Sequence, residues 1–236
     1  MGPLQVKVQG LFVGAPYHDV PALIAFLTIL VTTVNFVVSV EVNFYPKYRN
    51  YYSLFNDKGA IGDIKQAGKE MRKVLNMELK YTALKQLLTT ALVISVGGIL
   101  LEYLPLGFND LMEGYLRTLC VGYGLYAVAN TMLLLLLYFT DYKGALWSSG
   151  IFAAGTSVFT IISLFFPQVY YGFGFLAGCV AFFLFSVLRL DYYTKRLPYY
   201  ILSVQPVVQE DKTGIFTELG YFLEKKLEGR QELEKI

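Results

Sequence analysis

The 236-residue sequence is poor in the side chains that most enzymes use for chemistry, with one histidine and two cysteines. A single histidine, His18, excludes a site with several histidine ligands and a Ser-His-Asp triad within this chain. The glycine-rich lysine loop that binds nucleotide phosphates and the paired-cysteine motifs are also missing. Cys120 and Cys179 both fall within long apolar runs, where cysteine behaves as a small core side chain. We therefore predict no enzyme activity, no metal site and no cofactor, and any movement of cargo must draw on an ion gradient, a growing polymer or a partner.

Charge is also scarce, since 16% of residues are charged, 55% are hydrophobic and the net charge is +2. A mean hydropathy of +0.48 is too high for a soluble domain of this size, and the small net charge gives no indication of nucleic-acid binding. Five apolar runs each approach the ~20 residues that cross a bilayer as a helix. They cover residues 20–42, 81–104, 115–140, 145–166 and 170–190. We predict an all-α polytopic membrane helix bundle with about five to six transmembrane helices.

The distribution of lysine and arginine predicts how the bundle is oriented in the bilayer. Residues 43–80 contain eight basic and four acidic residues, whereas the connections 105–114 and 167–169 contain no Lys or Arg. The positive-inside rule then places the N-terminus outside and the C-terminus in the cytoplasm. The predicted domains are an extracytoplasmic segment 1–19, a transmembrane bundle 20–190 with a cytoplasmic amphipathic loop 43–80, and a cytoplasmic tail 191–236 with an amphipathic helix after Gly214. Alternation around Val6 and Val8 predicts a short strand in the N-terminal segment.

Polar residues recur at helical spacing inside four of the five spans. Span one carries Thr28, Thr32, Asn35 and Ser39 on one face, and such a stripe is typical of a helix that lines a water-filled path. Span five instead has Gly174 and Gly178, a spacing that suits close helix packing. We therefore expect spans one to four to surround an aqueous lumen, with span five packed outside. The substrate-path candidates are Asn35, Glu41, Lys85, Arg117, Tyr123, Tyr126, Asn130 and Thr156.

Simpler roles remain open for these residues. Thr and Ser hydroxyls often bond back to carbonyls of their own helix, and Lys85 can extend its amine to the membrane surface. The 19 tyrosines cluster at the span ends, as expected for an aromatic belt at the lipid headgroups. Tyr123 and Tyr126 lie within a span and are the tyrosines that we consider as platforms for sugar rings.

Two sequence elements resemble a known family. Residues 44–52 read Phe-Tyr-Pro-Lys-Tyr-Arg-Asn-Tyr-Tyr directly after span one, and residues 190–193 read Leu-Asp-Tyr-Tyr after span five. Together with Gly59, Asp63-Ile64 and the helix at 69–75, they resemble the Pel exopolysaccharide exporter (PelG-like) family. That family is grouped with the multidrug/oligosaccharidyl-lipid/polysaccharide flippase superfamily. The resemblance extends from about His18 to Tyr193 and corresponds to the C-terminal half of a family member, one lobe of a flippase-type transporter.

The resemblance implies export of an exopolysaccharide such as Pel across the bacterial inner (cytoplasmic) membrane for a biofilm matrix. Its implied partners are the polysaccharide cargo, the lipid bilayer, a glycosyltransferase, membrane scaffold subunits and a missing N-terminal lobe. Two alternatives stay open. The chain is a flippase for lipid-linked oligosaccharides or drugs in the same superfamily, or it is a membrane scaffold subunit that transports nothing.

Overall fold

The computed structural model describes residues 6–8, 12–56, 59–103 and 110–204. A short antiparallel hairpin comes first, formed by β1 (Val6–Val8) and β2 (Phe12–Gly14). The helices are α1 (Pro16–Ser39), α2 (Tyr45–Asn56), α3 (Ile61–Tyr103), α4 (Asp110–Tyr138), α5 (Tyr142–Ser163), α6 (Tyr171–Lys195) and α7 (Leu197–Val204). A π-helical turn, Val40–Phe44, joins α1 to α2, and a 3-10 turn, Gln168–Tyr170, precedes α6. The tail helix expected after Gly214 lies outside these residues.

Five helical segments are long and apolar enough to cross a membrane, which confirms the predicted all-α bundle. They are Pro16–Phe55, Ile61–Ile99, Asp110–Tyr138, Tyr142–Ser163 and Gln168–Lys195. Large apolar side chains such as Val31 and Leu87 point away from the bundle and are more than 60% exposed. An apolar outer surface of this kind is stable in contact with lipid chains. The chain is therefore a multi-pass membrane protein.

The helix α4 lies at the centre of the bundle. It packs against α1, α3 and α6, while α5 packs mainly against α6. In the apolar 18-residue stretch of each span, more than half of the residues of α4 are buried, against 11% of those of α5. The expectation that span five packs outside is therefore wrong, since α6 lies between α4 and α5. Spans one to four do not close a ring in the part of the chain that the structure describes.

Two glycines of α6 allow it to approach α5 closely. A Cβ atom on Gly178 would lie 2.7 Å from the backbone nitrogen of Thr156, and one on Gly174 would lie 2.6 Å from the Cα of Thr160. Because real Cβ contacts are longer, this close approach of α5 to α6 requires glycine at both positions. Small residues at i and i+4 allow such backbone contact in membranes.

The segment between the first two spans is a helical hairpin. α3 begins at Ile61 and continues without a break to Tyr103, about 65 Å at 1.5 Å per residue. This is about twice the thickness of the hydrocarbon core, so the first part of α3 projects beyond it. There Met71 and Leu75 are buried, and Tyr51 of α2 is 2% exposed. A Cβ on Gly68 would lie 2.9 Å from the ring of Tyr51, so α2 and α3 are closely packed.

Candidate functional site

Polar side chains of α1 and α3 meet in a line that we call the polar seam: Thr32, Asn35, Ser39, Glu78, Thr82 and Lys85. Spacings of three and four residues place each set on one face of its helix. The Glu78 carboxylate accepts hydrogen bonds from the Ser39 hydroxyl and from Asn43 Nδ2, the latter at 2.9 Å. The stripe of span one therefore faces a matching stripe on α3.

The seam opens on the outer surface of the bundle. Thr32 and Thr82 are buried at its base, whereas Asn35 and Lys85 are exposed. Together with Tyr81 they border a narrow cleft with a volume of about 10 Å³, at the lower limit for holding a single water molecule. The residues of the seam thus line a surface strip, and not the enclosed lumen that the sequence led us to expect.

Glu78 was not among the residues expected from the sequence. We counted it only as one charge of the segment 43–80. Its spacing of four and seven residues from Thr82 and Lys85 is the same helical pattern as the stripe of span one. That spacing was the signal that would have identified it.

A second cluster forms at one end of the bundle, and we call it the aromatic cap: Phe44, Tyr48, Tyr52, Tyr138, Phe139 and Tyr193. The ring centroids of Phe44 and Phe139 are 5.8 Å apart, and those of Tyr48 and Tyr138 are 4.9 Å apart. The Tyr193 hydroxyl donates to the Phe139 carbonyl at 3.1 Å. The cap therefore joins the Phe-Tyr-x-x-Tyr-Arg-x-Tyr-Tyr element to the Leu-Asp-Tyr-Tyr element.

Burial changes the interpretation of two tyrosines, Tyr193 of the cap and Tyr51, whose ring centroid lies 5.8 Å from that of Tyr52. Tyr51 is 2% exposed and Tyr193 is 6% exposed. An aromatic belt residue contacts lipid headgroups, so burial of this degree rules out that role for both. Their rings stabilise the end of the bundle by packing in edge-on and tilted arrangements.

A bidentate ion pair lies beside the cap. Arg189 Nε and Nη2 donate to the two oxygens of Asp141 at 2.7 and 2.8 Å. Asp141 is buried, and its side chain also accepts from the Gly144 backbone N–H at 3.0 Å, which caps the N-terminus of α5. The Arg189 guanidinium lies 5.8 Å from the centroid of the Tyr193 ring. One carboxylate thus fixes the start of α5 to the end of α6.

The other candidates are dispersed. Arg117 is exposed and pairs with Glu113 at 2.5 Å, and Glu41 is exposed on the π-helical turn. Asn130 is half-buried on α4. The Thr156 hydroxyl donates to the Phe152 carbonyl of its own helix at 2.7 Å.

Tyr123 and Tyr126 pack ring against ring inside the bundle. The Tyr123 centroid is 4.7 Å from that of Phe175, and the Tyr126 centroid is 5.1 Å from that of Phe152. The structure therefore places Asn35 and Lys85 together in the seam, places Tyr123 and Tyr126 together in a separate aromatic cluster, and leaves the remaining candidates apart.

The acidic and sulfur ligands that hold metals do not assemble. Within residues 6–8, 12–56, 59–103 and 110–204, no three His, Cys, Asp or Glu side chains form a group that could hold a metal ion. Along the seam, the Lys85 amine and the Asn35 amide can donate hydrogen bonds to polar groups, and the Glu78 carboxylate can bind a cationic group.

Comparison with known proteins gives one match. Residues 1–202 match the family model of PelG, described as a putative exopolysaccharide exporter (EPS-E). No curated protein and no solved structure matches the chain. The matched region includes the polar seam, the aromatic cap and both sequence elements from which the resemblance was recognised. The chain belongs to the PelG family of exopolysaccharide exporters.

Proposed function

We propose that this chain is a component of an exporter that moves an exopolysaccharide such as Pel across the bacterial inner membrane into a biofilm matrix. Membership of the PelG family supports the cargo class. The observation that carries a transport role is the polar seam, in which Asn35 and Lys85 stay exposed on an otherwise apolar surface.

The free-energy cost of placing polar and charged side chains in lipid favours a seam that faces water or another polar surface. A charged lysine costs about 2.5–3.5 kcal/mol at the centre of a membrane helix on insertion scales. Lys85 lies about one turn inside the predicted span 81–104, so it carries only part of this cost when it faces lipid, and a polar surface is the more favourable surrounding. Lys85 lies two turns of α3 from the Glu78 carboxylate, and Asn35 lies across the cleft from them. A seam with these groups is stable when it faces water or another polar surface.

A transport path needs a second wall. The resemblance to flippase-type transporters implies a path that runs between two lobes. The seam lies on the outer face of the bundle, where one wall of such a path would lie. We infer that an N-terminal lobe, supplied in the same or another polypeptide, faces α1 and α3. The carboxylates Glu41 and Glu78 are suited to the amino groups of an amino-sugar polymer, because a cation gains from a nearby acid in a low-dielectric path.

The cytoplasmic partners are assigned by charge and position. We infer that the N-terminus is outside and that residues 43–80 lie in the cytoplasm, in accord with the positive-inside rule. The helical hairpin of α2 and α3 carries exposed Lys47, Arg49 and Lys65 there. We propose this hairpin as the contact surface for a glycosyltransferase and for membrane scaffold subunits.

The experiment that tests export measures secreted polysaccharide in a polymer-producing strain that lacks this chain and has no second exporter. We expect the deletion to abolish polymer and the wild-type chain to restore it. Lys85→Ala and Glu78→Gln should each lower output roughly tenfold at unchanged protein level, which corresponds to about 1.4 kcal/mol in a limiting barrier.

The matched control is Lys143→Ala, which removes an exposed lysine of α5 that lies outside the seam and outside the helical hairpin. It should export at the wild-type level. Normal polymer in the deletion strain would contradict the exporter function and favour the flippase for lipid-linked oligosaccharides or drugs. A deletion defect that both seam variants restore fully would favour the non-transporting scaffold.

A further inference from the structure

A basic groove lies between α3 and α6 at the end of the bundle that carries the aromatic cap. Both helices pack on α4 but not substantially on each other, so their divergence leaves a cavity of about 720 Å³ with α4 at its base. Its cationic wall consists of Lys69, Arg72, Lys73, Lys80 and Lys195. Its floor is apolar and includes Leu79, Met132 and Val187.

The positive charge of this groove is largely uncompensated. Asp191 is the acid that lines it, and that carboxylate already pairs with Lys195 at 2.6 Å. In the part of the chain that the structure describes, Lys69, Arg72, Lys73 and Lys80 form no ion pair. Four cations around one cavity favour an anionic occupant, because their mutual repulsion is relieved when it binds.

An apolar furrow continues from the basic groove along the same three helices. It has a volume of about 380 Å³ and is lined by Ala83 and Leu87 of α3, Val128 of α4 and Phe183 of α6. Val128 and Phe183 each lie one turn from Met132 and Val187 of the groove floor. The furrow therefore extends the groove toward the middle of the membrane by successive helical turns.

We propose that the basic groove and the apolar furrow together bind one anionic phospholipid. The lysines hold the phosphate headgroup and the furrow holds an acyl chain. A cationic rim joined to an apolar channel fits this amphipathic shape, whereas a soluble phosphate would leave the furrow empty. The groove lies at the polar end of the spans, on the side that the positive-inside rule places in the cytoplasm, where basic segments attract anionic lipids. The proposal depends on the membrane location of the chain and not on its cargo.

The test is native mass spectrometry of the full chain in detergent, titrated with phosphatidylglycerol or with phosphatidylcholine of the same acyl chains. We expect phosphatidylglycerol to bind at least tenfold more tightly. Lys73→Gln/Lys80→Gln should weaken its binding at least about tenfold, since each basic residue contributes about 1 kcal/mol near an anionic surface. Lys65→Gln/Lys143→Gln removes the same charge from exposed positions outside the groove and should bind as the wild type does.

A second pair of variants tests the furrow without changing charge. Ala91→Phe fills the furrow from its exposed rim and should weaken phosphatidylglycerol binding, whereas Ala154→Phe on the exposed face of α5 should not. Lys73→Arg/Lys80→Arg keeps the charge and should retain binding. Equal binding of both lipids, equal losses in the groove and control variants, or glycerol phosphate competing as well as the lipid does would overturn the proposal.

Discussion

The ion pair between Asp141 and Arg189 joins the start of α5 to α6 through two charged hydrogen bonds. Asp141 is 5% exposed, and its two oxygens receive both guanidinium donors and the capping N–H of Gly144. Thr140, with a φ of 64°, turns the chain just before it. Because buried charges persist only when they are hydrogen-bonded, each partner is needed to keep the other in place.

Removing one partner of this pair should destabilise the protein strongly. We expect Arg189→Ala to lower the free energy of unfolding by about 3 kcal/mol, since the Asp141 carboxylate, which is 5% exposed, is left buried without its cation. The measurement is thermal unfolding of the detergent-purified chain. Lys195→Ala is the control, because it breaks an exposed pair with Asp191 and should cost about 0–1 kcal/mol. Equal decreases in the unfolding temperatures of Arg189→Ala and Lys195→Ala would show that the buried pair stabilises the protein no more than the exposed pair does.

This pair also shows where sequence reasoning stops at the residue scale. Asp141 and Arg189 are 48 residues apart, and each alone is ordinary at the polar end of a span. Periodicity identified Asn35 and Lys85 because each belongs to a stripe on its own helix. It carried no information on which stripes face each other, and so Glu78, which completes the seam, was missed.

At the scale of elements, the five spans could be predicted because crossing a bilayer demands about twenty apolar residues in a row. The order of packing could not, since all five spans are similarly apolar and differ mainly in where small residues allow close approach. Gly174 and Gly178 were recognised as a packing pair, yet their partner helix was not known. The π-helical turn Val40–Phe44 was not predicted from the sequence. The part of α3 that precedes the membrane is stabilised by its packing against α2, where Met71 and Leu75 are buried.

The contact of α6 with α5 should depend on the absence of a side chain at Gly178. We expect Gly178→Ala to cost about 1–3 kcal/mol, because the added methyl meets the backbone of Thr156 and the two helices must separate. Unfolding in a denaturing detergent titration measures this change. Gly150→Ala on α5 is matched in chemistry and has no heavy atom within 4 Å of the added Cβ, so its stability should stay equal or rise slightly. Wild-type stability of Gly178→Ala would contradict the close packing of α5 and α6.

At the scale of the whole molecule, the main polar clusters of the bundle lie toward one end and in one strip along its length. The cap, the ion pair and the basic groove all lie toward one polar end, whereas the seam is the polar strip along α1 and α3. Most of the remaining outer surface is apolar, with Val31 68% exposed and Leu88 59% exposed. If the seam is one wall of the proposed export path, a second polar wall faces it and lipid covers the remaining outer surface.

The accessibility of single cysteines to water should distinguish these surfaces. In a background with Cys120→Ala and Cys179→Ala, both of which remove buried thiols, Asn35→Cys should react with a membrane-impermeant maleimide in the assembled exporter. Val31→Cys lies one turn away on the same helix and is also exposed in the isolated bundle, yet it should stay unreactive because lipid covers it. Thr156→Cys should also stay unreactive, since Thr156 packs against Gly178. Lys143→Cys, at an exposed position outside the helical hairpin, serves as the reactive control in inside-out vesicles. If Asn35→Cys is as inert as Val31→Cys while Lys143→Cys reacts, the seam does not line water, and its polar residues hold α1 and α3 to each other or to a scaffold partner.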